Sequence, residues 1–362
     1  MRITAAELEA RTILRKDLVP DTAAFLDTKI PGSRSKVNYP LIGPGVSENG
    51  QQVVPVTEPH GFNLGGAVMP AGTVNNLHLH FTAEVFFCFA GSWTFRWGVD
   101  GTDGQATVGD GDVISIPTWI FRGFTSESDD AWLYTALGRD ESGGLIWAPS
   151  VIAAAAETGM FLGLDHRLIE VEPGTVPSVG VVGPMSEDDL AGLRSVSVEE
   201  MRTRLARPDD LVWRSDAFLD DGGAELALVI GYGLTENRDQ APRLADPHGF
   251  SIAWLRAATG RGVARHRIDE PQVLIAKSGT WRVTLNDEEP VSVELGPYDT
   301  LSVPAGAWRR FESVGPETGQ LALLTSGDGR VRIDWDPAVV AAARERDVAL
   351  DANGYLAPAH LI

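Results

Sequence analysis

The chain has 362 residues, 43% hydrophobic and 22% charged, with a net charge of −20. That balance is ordinary for a soluble globular protein long enough for two domains, and its acidity, spread along the chain, excludes phosphate backbones and anionic membranes as partners. The single cysteine, Cys88, excludes an intrachain disulfide, so the expectation is a cytoplasmic protein that takes a small molecule and neither nucleic acid nor membrane.

The N-terminal leader, MRITAAELEARTILRKDLVP, carries Glu7, Glu9, Arg11, Arg15, Lys16 and Asp17 and lacks the apolar core of a signal peptide. It predicts a short helix among polar turns. Alternating strands follow in FNLGGAVMP, EVFFCFA, WTFRWG, VISIP and WLYTAL, separated by Gly and Asp-Gly clusters. LHLH at 77–80 reads as a further, buried strand. One amphipathic helix, about 149–159, closes this part of the chain. The stretch around it, LIWAPSVIAAAAETGMFLGL, is the most apolar long one, but Pro149, Glu157 and Gly159 interrupt it and it is not read as a membrane span.

The pattern then begins again. LIGPGVSENGQQVVPVTEPHGF at 41–62 matches VIGYGLTENRDQAPRLADPHGF at 229–250, and 188 residues separate His60 from His248, His78 from His266, Gly91 from Gly279 and Trp93 from Trp281. One residue is lost in a turn, so GDGDVISIPTWIFRGF at 109–124 meets GPYDTLSVPAGAWRRF at 296–311 with an offset of 187. The leaders also agree, LVPDTAAFLD at 18–27 with LVWRSDAFLD at 211–220, and a second closing helix falls at about 337–346. The chain is a duplication. Its boundary is expected near GPMSEDDLAGLRS at 183–195, giving halves 1–188 and 189–362. Many short strands with regular turns argue for a small antiparallel barrel or sandwich in each.

Two of the seven histidines stand one residue apart in LHLHFTAEVFFCFAG at 77–91. On a strand, His78 and His80 share a face, and Glu84 has the parity to join them. Two imidazoles and a carboxylate converging in a narrow barrel make three ligands of an octahedral site, with three adjacent positions open. This suits Fe(II), Mn(II), Ni(II), Co(II) or Zn(II), and it is the donor set of non-haem iron oxygenases. Arg122 and Arg309 are equivalent, so each half buries a cation near this place. Arg122 then holds a substrate carboxylate or enolate, or pairs internally with Glu84 or another acid, or projects outward. Asn76 shares parity with His78, and Phe86 and Trp119 could wall the cavity. His60, in a PHGF tetrapeptide shared with His248, is either a turn residue or a substrate contact.

HLHFTAEVFFCFAG, His-x-His-x3-Glu-x6-Gly, resembles the first motif of the cupin family. GDVISIPTWIFRGF resembles the second, with Gly111 and Pro117 in place. The duplication makes nearly the whole chain similar to bicupins. The resemblance implies an all-β protein of two tandem double-stranded β-helix (jelly-roll) barrels with short flanking helices. The second motif ordinarily carries a histidine ligand where this chain has Trp119 and Arg122. The metal is therefore expected on His78, His80 and Glu84 alone. In the second half the counterparts are His266, Ile268, Gln272 and Arg309, a set expected to hold no metal.

These features lead to a metal-dependent enzyme with one active barrel. The favoured chemistry is that of an Fe(II) dioxygenase acting on a small, possibly aromatic, carboxylate or enolisable substrate, with Glu84 and Arg122 as catalytic groups. Gentisate dioxygenases resemble this chain in bicupin architecture but use three histidines and no glutamate. The alternatives are a non-redox isomerase, lyase or hydrolase using Mn(II), Zn(II) or Ni(II) as Lewis acid, or a bicupin that only binds. A homodimer is expected from the arm-like leaders.

Overall fold

Strand periodicity of two puts every second side chain of each segment on one face, and the segments assemble into two sheets per half. The computed structural model describes Met1–Ile362. In the N-terminal half Val37–Ile42, Phe62–Met69, Ala131–Gly138, Glu84–Ala90 and Val113–Ile116 lie side by side in one antiparallel sheet. Gly104–Val108, Trp93–Trp97, Arg122–Ser126, Val74–His80 and Leu145–Trp147 form the other. Phe86 of the first sheet meets Phe95 and Phe124 of the second, with ring centroids 4.8 and 5.3 Å apart. The C-terminal half repeats both strand orders, from Ala224–Ile230 through Phe250–Ala257, Gly319–Ser326, Gln272–Ser278 and Thr300–Val303 in one sheet, and from Val291–Leu295 to Asp334–Trp335 in the other. The expected all-β architecture of two tandem barrels is present. The two longest helices are the closing ones, Pro149–Glu157 and Pro337–Glu345, each started by its proline. No helix is long and apolar enough to cross a membrane.

The expected boundary near residue 188 needs correction. The two compact units are Val19–Pro208, and Asp209–Ile362 together with Met1–Leu18. Each leader has joined the unit built by the other half's barrel strands. Thr12–Ile13 pairs with Thr300–Leu301, and Leu205–Ala206 pairs with Val113–Ile114. An unpaired sheet edge presents free N–H and C=O groups, and the leader satisfies them: Ser302 N–H donates to Arg11 O and Ser115 N–H to Arg204 O, both at 3.0 Å. The helix ahead of each pairing strand is capped by a hydroxyl, Thr4 in a capping box with Glu7, and Ser197 accepting from Glu200 N–H. Each buries one apolar side chain, Leu8 or Met201, in the barrel it joins.

The repeated SEN and TEN triplets have a shared structural role. Trp147 Nε1–H donates to Glu48 Oε1 and Trp335 Nε1–H to Glu236 Oε1, both at 2.7 Å. The second carboxylate oxygen accepts the backbone N–H of Leu26 or Leu219 at 2.6 Å. Each glutamate so ties the segment entering its barrel to the tryptophan that precedes its closing helix. Burial pushes these carboxyls up, Glu48 to about 7 and Glu236 to about 8. Because the folded values lie above the unfolded ones, this stability is complete below about pH 4.5 and is lost as pH rises through 7 to 8. Chemical denaturation between pH 4.5 and 8 is expected to show stability falling, by at most about 1.4 kcal/mol per pH unit for each group, and levelling off above about 8. Glu236→Gln should flatten that slope; an unchanged slope would show that the carboxyl does not titrate there.

Candidate metal centre

His78 and His80 end the strand Val74–His80, and Glu84 begins the strand Glu84–Ala90 in the facing sheet. The short turn between them brings one donor atom of each to within 4.8 Å of the others. All three residues are buried. His78 Nδ1 pairs with the Asn76 carbonyl oxygen at 2.7 Å, which makes Nδ1 the protonated nitrogen and leaves the Nε2 lone pair for a ligand. His80 Nε2 lies 3.3 Å from Glu84 Oε1. The other oxygen, Oε2, accepts from Arg122 Nε at 2.8 Å. The two rings meet edge to face at 4.9 Å, and Trp147 packs against His78 at 5.5 Å.

Electrostatics keeps these groups in metal-binding states. Burial pushes both imidazoles down, His78 well below the usual range with His80 adding to the effect. They are neutral at neutral pH, as ligands must be. Burial alone would raise Glu84, but His80 and then Arg122 outweigh it and hold the carboxyl far below its ordinary value. Two neutral imidazoles and an ionised carboxylate, buried with converging donors, fit a divalent transition ion.

The group opens on a cavity of about 110 Å³ inside the Val19–Pro208 unit. Phe86, expected in its wall, is there, with Phe25, Phe124 and Trp147. Asn38, Asn63, Asn75 and Thr135 are polar members of the lining outside the His–His–Glu group that this strand framework supplies. Three other expected contacts lie elsewhere. Asn76 does not line the cavity; its amide donates to Asp27 Oδ2 at 3.1 Å and Ser33 Oγ at 2.7 Å. The cause is a break in register between Asn75 and His78, which interrupts the alternation of faces and gives the cavity position to Asn75. His60 holds a turn: its N–H donates to Asp140 at 2.7 Å and its Nδ1 meets Glu58 O at 2.6 Å, as His248 does with Asp328 and Asp246. Trp119 is 46% exposed, stacked edge to face on Phe81 at 5.2 Å. Arg122, fully buried, reaches the site through Glu84 and does not line the cavity. It also donates to Ile120 O at 2.9 Å. Of the readings open to it in the sequence, the internal ion pair with Glu84 is the one present.

No family model and no curated protein matches the chain. Solved structures do. Oxalate decarboxylase from Bacillus subtilis at pH 4.6 is 13% identical, with a TM-score of 0.52 over 88% of this chain and 76% of that one. The Lactobacillus farciminis oxalate decarboxylase formate complex is 11% identical, with a TM-score of 0.53 over 88% and 86%. A further Bacillus subtilis oxalate decarboxylase structure, described for its Mn(II) centres, is 13% identical, with a TM-score of 0.53 over 88% and 77%. The fold is that of a bicupin. At such identities the likeness is one of fold alone.

The two barrels have diverged inside. Six of the cavity positions become aliphatic: His80, Asn38, Gly65, Asn75, Phe86 and Thr135 become Ile268, Leu226, Ala253, Val263, Leu274 and Leu323. All six replacements are buried in one continuous hydrophobic cluster. His266 keeps its Nδ1 contact, to Ala264 O at 2.8 Å, and its tryptophan, Trp335 at 5.3 Å. Gln272 stands where Glu84 does and accepts from Arg309 Nη1 at 3.3 Å. Burial pushes His266 down to about 3 and Arg309 down to about 9.

Removing Arg122 would strand Glu84 as an uncompensated buried charge. Arg122→Ala is expected to destabilise the metal-free protein by about 3–5 kcal/mol in urea unfolding. The pair Arg122→Met with Glu84→Gln should recover much of that loss, since Gln272 occupies the same place in the second barrel. A loss below about 1 kcal/mol for Arg122→Ala would show that the ion pair does not organise the site.

Proposed function

We propose that the chain is a metal-dependent bicupin enzyme. One divalent transition ion sits on His78, His80 and Glu84 of the N-terminal barrel, beside a small organic acid or enolisable substrate that offers it oxygen. The observation that carries this is the convergence of three buried donors on one polar cavity, against the aliphatic filling of the same space in the C-terminal barrel. That second barrel is read as a structural, metal-free partner.

When bound, the ion supplies Lewis acidity and, if it is iron, redox chemistry. The protein's own groups do the rest. Asn76 O sets the His78 tautomer, and Asn76 is itself held through Asp27, which pairs with Lys36 at 2.5 Å. Arg122 occupies Oε2 of Glu84 and turns Oε1 toward the histidines. Phe25, Phe86 and Trp147 limit water around the substrate, and the asparagines of the lining orient it. Arg122 thus acts as a positioning residue.

Two reaction classes share such a site. The two-histidine, one-carboxylate donor set supports an Fe(II) dioxygenase. A non-redox lyase using Mn(II) is supported by the solved bicupins that share the fold, which are decarboxylases, one described for Mn(II) centres. Oxygen uptake and CO2 release, measured with the Fe(II)- and Mn(II)-loaded protein on a panel of short and aromatic acids, separate the two. Oxygen consumed in proportion to substrate supports the first, and CO2 released without it supports the second. His78→Ala, His80→Ala and Glu84→Ala should each keep the fold and lose metal affinity by more than the 10–100-fold typical of an outer-sphere change. Full metal occupancy in all three variants, or no turnover of any acid with any metal, would contradict the proposal.

A further inference from the structure

Besides the three donors, one charged side chain lines the cavity, Asp21. Its backbone is bridged to that of Asn38 by hydrogen bonds of 2.7 and 3.0 Å, which fixes it beside the strand Val37–Ile42. Its Oδ1 accepts from the N–H of Ala23 and from Asn49 Nδ2, each at 3.0 Å. Its Oδ2 is buried with no protein partner, in a residue only 7% exposed. A carboxylate oxygen kept from water without a donor is costly, and this one belongs to a residue that lines the cavity.

The rest of the wall sharpens the point. No lysine or arginine lines the cavity. Lys36 is spent on Asp27 and Asn75, and Arg122 on Glu84. A substrate with a second anionic end would meet Asp21 and no cation. The second barrel, whose interior is aliphatic, has no such group: the aligned residue is Arg214, paired across the strands with Leu226 and bonded to Asp216 at 2.7 Å. Asp21 and Asn38 therefore belong to the one barrel that has a polar cavity.

We infer that Asp21 Oδ2 recognises a hydrogen-bond donor, a hydroxyl or an ammonium, at the end of the substrate remote from the metal. The site then selects short hydroxy- or amino-acids over diacids and plain acids. The inference rests on the metal-centre reading given above and names the substrate class for it.

The test uses the full chain loaded with Mn(II), titrated with butyrate, 4-hydroxybutyrate, 4-aminobutyrate and succinate while the Mn(II) electron paramagnetic resonance spectrum is followed. These acids share one carboxylate and differ at the far end. The hydroxy and amino acids are expected to bind about 10-fold tighter than butyrate, the scale of one hydrogen bond to a charged group, and succinate weakest. A larger gain for 4-aminobutyrate assigns the site to ammonium, and a larger gain for 4-hydroxybutyrate assigns it to hydroxyl. Asp21→Asn keeps Oδ1 for Ala23 and Asn49 and turns the free acceptor into a donor. It should erase the preference for 4-aminobutyrate and strengthen succinate binding. Equal affinities, or succinate strongest in the unaltered protein, would overturn the inference, and that ranking decides even if Asp21→Asn fails to fold. Bound Mn(II) unresponsive to all four acids overturns it as well. Failure to bind Mn(II) overturns the metal-centre reading first and this inference with it.

Discussion

A guanidinium buried between two sheets must be answered by acceptors, and both barrels of this protein are arranged around that demand. In the N-terminal barrel the answer is a carboxylate, Glu84, 2.8 Å from Arg122. Such a pair gives little net stability compared with a well-packed apolar core, because two charges have lost their water. Its consequence is geometric. With Oε2 committed to Arg122, the remaining oxygen of Glu84 faces His80 Nε2 at 3.3 Å, and a strand-to-strand pair becomes a three-donor centre. In the C-terminal barrel Arg309 is answered by carbonyl groups, Pro304 and Ala307 among them, and by the neutral Gln272. Charge has been removed there and aliphatic packing has taken its place.

Duplication made this divergence affordable. The two sets of sheets have the same strand order, the same glutamate–tryptophan ties at 2.7 Å, and the same turn held by a histidine N–H. These shared devices carry the fold. One barrel can then keep a polar interior, which weakens a core, while the other fills its interior with leucine, isoleucine and valine. A cavity with polar groups and an aliphatic core are divided between two copies of one architecture.

Much of this was legible in the sequence. Near-gapless repetition gave two equivalent barrels, and the His-x-His-x3-Glu spacing pointed to three donors turned into one barrel interior. What stayed hidden depended on local geometry. Asn76 was expected in the cavity because alternation was carried through residues 75–78, where the register in fact breaks. The leaders exchange partners through strands of two residues, too short for any periodicity to register. Trp119 turns outward at a left-handed φ of 59°, where the aligned residue of the second half is Gly306 at 72°; a tryptophan gives no hint of that conformation. Asp21 lies far from the motif in sequence, in a leader whose fold the pattern left undetermined. Only the bridge to Asn38 brings it to the cavity.

The account stands on one barrel holding metal through His78, His80 and Glu84 while its duplicate does not. Anomalous diffraction from crystals grown with Mn(II), collected on both sides of the manganese absorption edge, tests this most directly. It should show one ion per chain, bonded to His78, His80 and Glu84, with no peak beside His266. An ion beside His266, or one held in the first barrel without Glu84, would contradict it.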